Sequence, residues 1–188
     1  SIDTFYISNP ILGEYVALPK PKIEKQVFAV AYGFGFSLAT GQYKVLRIVQ
    51  KRVRGRPTPP LAHFIQNRRV RFVLLEVGSG TWRNVGDAPY SLCGRFCDIT
   101  LNGALHWTDD DHTNFEFLYS FDIGEEKVRP IPLPPEFDIR NFWFWVRLGV
   151  LGNCLCIFDN FWFPHLDIWS MKEYGVTESW TKVRILKT

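Results

Sequence analysis

The chain has 188 residues, of which 46% are apolar and 16% aromatic, with a formal net charge of +3. That length suits one domain, 1–188, whose core needs no disulfide or metal staples. Its longest apolar runs, such as "FWFWV" at 142–146, fall far short of the ~20 residues that cross a bilayer as a helix. No basic-then-apolar leader opens the chain.

Seven Trp and sixteen Phe against a single Met favour strands over helices. In chain order, "FYIS" and "YVALP" form a leading pair of strands within 5–19. "FAVAYGF" and "YKVLRIV" follow, joined across the short turn "ATGQ", and "VRFVLLEVGSGTWRNV" closes the first full unit at about 27–86. The second unit, about 96–134, opens on "LNGALHW", where Asn102-Gly103 has the chemistry of a two-residue hairpin turn. The third, about 142–186, repeats it as "LGNCLCIF", with Gly152-Asn153 at the turn. The closing positions Trp82, Val128 and Trp180 lie 46 and 52 residues apart, which is the period of a four-stranded propeller blade of the kelch kind. Such a sheet has two apolar faces, and stacking against its neighbours buries both. The expectation is an all-β, kelch-like propeller portion of about three and a half four-stranded blades. Helix is confined to a turn or two near 60–68.

Several motifs invite chemistry and are better read as structure. "YGFGFS" has two glycines where a dinucleotide loop needs three between a strand and a helix. Glycine within a strand marks a bulge or a close backbone approach. Cys93, Cys97, Cys154 and Cys156 lack the paired C-x2-C spacing of a zinc site. Together with the absence of Asn-x-Ser/Thr, they suit a reducing compartment, cytoplasmic or nuclear. "TDDDHTNFE" lacks the alternating ligands and glycine turn of a calcium loop. His106, next to Trp107 on a strand, reads as a core histidine rather than a base. No cofactor, metal or catalytic constellation emerges, and we expect a non-enzyme.

The order of "NPILGEYVALP", "YGFGFSLATGQYKVLRIV", "VLLEVGSGTWRNV", "LNGALHW" and "SFDIGEEKVRPIPLP" resembles plant F-box-associated domains over nearly the whole chain. The resemblance implies a propeller-like domain C-terminal to an F-box, serving as substrate receptor of a Skp1–cullin–F-box ubiquitin ligase. The F-box itself is absent from these residues, so a Skp1-like adaptor is a partner only through a segment outside them. The chain also begins mid-blade and stops after a closing strand. The leading half unit then lacks first and second strands, which the C-terminus does not supply. Open edges of this kind template pairing with another chain, so self-association is expected of an open arc. A strained compact closure is the other arrangement.

Meander topology gathers the long connections at one end of each unit, where recognition usually resides. Residues 51–71 carry seven Lys/Arg and no acid, as one basic loop that includes Arg52, Arg54, Arg56 and Arg69. The acidic loop 109–116 contributes Asp110, Asp111 and His112. "NFWFPH" contributes Phe161, Trp162, Phe163 and His165; three consecutive rings cannot all face one side of a strand. These residues are the candidate partner-binding set. A protein substrate, unidentified, is the expected partner. Nucleic acid is disfavoured because the basic run lacks interleaved aromatics. The alternative is a carbohydrate- or small-ligand-binding β domain that uses the exposed rings.

Overall fold

The computed structural model describes residues 4–22, 24–25, 27–52, 68–88, 99–108, 117–137, 146–160 and 164–186. They form two compact units, one within residues 1–89 and one within 90–188. Among the described residues every regular element is a strand except a single 3-10 turn at Thr177–Ser179. The helical turn expected near 60–68 falls almost wholly outside them; Arg68 itself is in a strand.

The first unit contains a two-stranded sheet and a four-stranded sheet. β1 (Tyr6–Asn9) and β2 (Glu14–Ala17) pair antiparallel. β3 (Val27–Ser37), β4 (Gln42–Arg52), β5 (Arg68–Glu76) and β6 (Trp82–Ala88) form a simple meander. β4 is covered on both faces, with every residue from Lys44 to Gln50 buried. This is why its pattern shows no clean alternation. The strand runs in register past both glycines of "YGFGFS", with Gly33 opposite Leu46 and Gly35 opposite Lys44. The irregularities of this sheet lie elsewhere, where β3 shifts register between Val27 and Ala29 and where Val85 is skipped between Phe72 and Val73, with Gly86 at φ +134°. No helix follows the glycines, only a turn into β4, so a phosphate loop is excluded.

The second unit holds two four-stranded meanders. One is β7 (Ile99–Leu101), β8 (Ala104–Thr108), β9 (Leu118–Asp122) and β10 (Lys127–Ile131). The other is β11 (Val146–Leu151), β12 (Cys154–Asp159), β13 (His165–Met171) and β14 (Trp180–Leu186). A shared core of Leu101, Leu118, Ile131, Leu155, Ile157, Trp169 and Trp180 lies between them. The propeller logic of sheets burying one another's faces is thus realised within this unit.

Local chemistry sets the turns. Asn102-Gly103 has φ of 51° and 72°, and Gly152-Asn153 has 57° and 59°, as a two-residue primed turn requires. Asn9, Ser37 and Asp122 start a second kind of turn. Each accepts from a backbone N–H two or three residues on, and its own carbonyl accepts from residue i+4. That fourth residue, Gly13, Gly41 or Glu126, has a positive φ.

Candidate partner-binding end of the sheets

The meander of β3–β6 puts the short turns 38–41 and 77–81 at one end, and the connection between β4 and β5 at the other. Five of the seven cations in 51–71 belong to the strands: Lys51 and Arg52 end β4, and Arg68, Arg69 and Arg71 lie in β5. This corrects the reading of a basic loop over 51–69. The ladder places Lys51 opposite Arg69 and Arg52 opposite Arg68.

Glu24 gathers three of the cations of this sheet. Its carboxylate, 13% exposed, is 3.4 Å from Arg47 Nη1 and 3.6 Å from Arg71 Nη1, and it also pairs with Lys51 Nζ. Burial alone would raise its pKa. The Lys51 hydrogen bond and the charges of Lys51, Arg71 and Arg47 outweigh burial and hold it below the ordinary value. Arg47 Nε also donates to Tyr32 Oη at 3.3 Å, and Arg71 Nε donates to Asp87 at 3.2 Å. Nearby on β4, Gln50 is buried with both amide atoms lacking a hydrogen-bond partner among the described residues.

Of the sequence-derived candidates, Arg52 and Arg69 are thus brought to one end of one sheet. His165 opens β13, half-buried, opposite Leu186; its Nδ1 is buried without a partner among the described residues. Arg54, Arg56, Asp110, Asp111, His112, Phe161, Trp162 and Phe163 lie outside the described residues. At the His165 end of its sheet, Asp159 faces Asp167. Asp167 accepts from Arg184 Nε and Nη2 at 2.6 and 2.7 Å and pairs with Lys182 at 2.7 Å. Chiefly through the Arg184 hydrogen bonds, its pKa is held down to about 2.

Sequence reading missed Glu24, whose role depends on strand register. It also missed what Trp82 and Trp180 do. Trp82 Nε1 donates to Pro19 O at 2.7 Å, and Trp180 Nε1 donates to Pro132 O at 2.9 Å. In both cases the fourth strand of a sheet is latched to the chain just past the end of the preceding sheet. The shared spacing of the two tryptophans was the available signal. His106 is fully buried, with Nε2 2.7 Å from Tyr174 Oη, and burial lowers its pKa to about 4. It is a core histidine, as expected. Cys156 Sγ lies 3.2 Å from Ser170 Oγ in the interior. Among the described residues no cluster could hold a metal, and no helix is long and apolar enough to cross a membrane.

Repeated four-stranded antiparallel meanders define an all-β, propeller-like class of domain. The chain belongs to the F-box associated beta propeller domain family, whose model matches residues 2–187. It is 33% identical to F-box protein At3g07870 of Arabidopsis thaliana, over 96% of this chain and 45% of that protein. It is 25% identical to F-box protein CPR1 of the same plant, over 82% of this chain and 40% of that protein. The F-box/kelch-repeat protein At3g23880 is 23% identical over 96% of the chain and 47% of its own length. The chain therefore spans less than half the length of these relatives. No solved structure matches it.

Proposed function

We propose that the chain acts as one F-box-associated domain, 1–188, that recruits protein substrates to a Skp1–cullin–F-box ubiquitin ligase. The observation that carries this reading is the family match across residues 2–187, with relatives named as F-box proteins. In this role the domain binds and positions, while ubiquitin transfer is done by other subunits. A Skp1-like adaptor docks on an F-box elsewhere in the parent protein, working in the cytoplasm or nucleus.

The basic end of β4 and β5 favours an acidic segment of the substrate. Arg52 and Arg68 face each other there, as do Lys51 and Arg69. The connections that carry Arg54, Arg56, Asp110, Asp111, His112, Phe161, Trp162 and Phe163 complete the recognition set, with His165 beside the last of them.

The test is co-expression of the full-length parent protein with a Skp1-type adaptor and a cullin. Stable co-purification with the adaptor, together with bound proteins whose half-life lengthens when the parent protein is removed, is the expected result. Failure to associate with the adaptor would reject the ligase role. Association without any change in the turnover of bound proteins would reject substrate recruitment.

A further inference from the structure

Two carboxylates in this fold each gather a group of cations, and they are held differently. Asp167 lies within β13, 3% exposed, with Lys182 Nζ at 2.7 Å. Arg184 donates to it through Nε and Nη2 at 2.6 and 2.7 Å. Those are the short lengths of well-formed charged hydrogen bonds. Both cations come from the adjacent strand β14, so one ladder fixes the acid and its partners together.

Glu24 lies in no strand. It belongs to the connection between β2 and β3, while its cations belong to β4 and β5. Its contact with Lys51 is close, but Arg47 Nη1 and Arg71 Nη1 stand at 3.4 and 3.6 Å, beyond the ~2.7–2.9 Å of a well-formed charged bond. Arg71 is shared, since its Nε donates to Asp87 at 3.2 Å. Three cations against two acids leave this cluster positive, before Arg69 at the register position opposite Lys51 is counted. The Lys51 and Arg71 side chains keep 26% and 38% of their exposure, within reach of an anion from solution. Arg47 is already withdrawn from water at 8% exposed, so exchanging one carboxylate for another there adds little desolvation.

We infer that Glu24 is a built-in competitor: it stands where a carboxylate of the bound partner goes, and an acidic segment engages Arg47, Lys51 and Arg71 by displacing it. This rests on the reading of the basic end as the site for an acidic segment of the substrate, and it adds how that site is regulated. A tethered carboxylate competes at an effective concentration in the millimolar range, which lowers the apparent affinity by the fraction of sites left open. A lone carboxylate therefore competes poorly. A run of acids, which also meets the surrounding cations of the β4–β5 ladder, competes well, so the contact selects clustered acids over single ones.

The probe is a fluorescein-labelled octapeptide of alternating Glu and Gly, with its Gln-Gly counterpart as the neutral control, titrated into the full-length parent protein. Glu24→Gln keeps the side chain's size and removes its charge. Glu178→Gln removes the same charge from an exposed position in the turn before β14. The first variant should bind the Glu-Gly peptide at least fivefold more tightly than the unsubstituted protein, and the second should match it. No gain in Glu24→Gln, or an equal gain in both variants, would overturn the inference. Carbodiimide, which joins a lysine amine to a carboxylate in contact with it, reads the displacement without any substitution. Under saturating peptide the Lys51–Glu24 link should fall at least threefold, with Lys51 joined to the peptide instead. A link that stays at its peptide-free level would overturn the inference. The Arg52→Glu, Arg69→Glu variant separates the two readings. Peptide binding lost there, with none gained in Glu24→Gln, rejects the competitor and leaves the basic end as the acidic-segment site. No binding of the peptide by any form rejects both.

Discussion

Two buried side chains give this protein a two-step response to acid. His106 is held neutral by burial, with a pKa of about 4 against 6.5 in an unfolded chain. Between those values the unfolded state binds more protons, so stability present above pH 6.5 is lost as pH falls towards 4. The loss is on the order of 3 kcal/mol. Asp167, depressed from 3.8 to about 2 by Arg184, contributes stability above pH 3.8 that disappears between there and pH 2. Thermal melts over pH 2–8 should therefore show His106→Gln flattening the upper step and Asp167→Asn flattening the lower. An unchanged upper slope in His106→Gln would mean that His106 is already charged in the fold. The indole latches are tested at the same scale. Trp82→Phe and Trp180→Phe keep the ring and lose the donor, so denaturant unfolding should show each costing about 1 to 2 kcal/mol.

Strand pairing decides which sequence signals could be read locally. The Asn102-Gly103 and Gly152-Asn153 turns were legible because their requirement, positive φ at two adjacent residues, is met by a dipeptide alone. Gly103→Val should accordingly cost about 1 to 2 kcal/mol by putting a branched side chain at φ +72°, measured by chemical denaturation. The basic stretch was misjudged because Lys, Arg, Gly and Pro together read as a solvated loop. Pairing with β5 extends β4 to Arg52 and draws five cations into a ladder, and only long-range register could reveal it. Arg52→Glu with Arg69→Glu places one carboxylate opposite Arg68 and another opposite Lys51. Substitutions of this kind usually shift stability by no more than about 0.5 kcal/mol, and opposite charges on paired strands favour pairing. The melting temperature should hold or rise; a collapse would show that these arginines make contacts essential to the fold.

For the molecule as a whole, the repeat of about 46 to 52 residues was visible because aromatics and turns recur at fixed places in each unit. Three four-stranded sheets and a leading two-stranded one follow from it. The latch that joins successive sheets was not visible, since a proline carbonyl carries no signal of which indole it will accept. Most candidate recognition residues fall in connections between strands, whose sequence the period of the fold does not set. We propose that this domain selects substrates while the adaptor docks elsewhere in the parent protein. This is tested most directly by quantifying, with cullin activity blocked, what co-purifies with the full-length protein and with its Arg52→Glu, Arg69→Glu variant. The expected result is an unchanged yield of Skp1-type adaptor and at least a tenfold loss of one or more other bound proteins. Adaptor and all other partners falling together, or none falling at all, would contradict it.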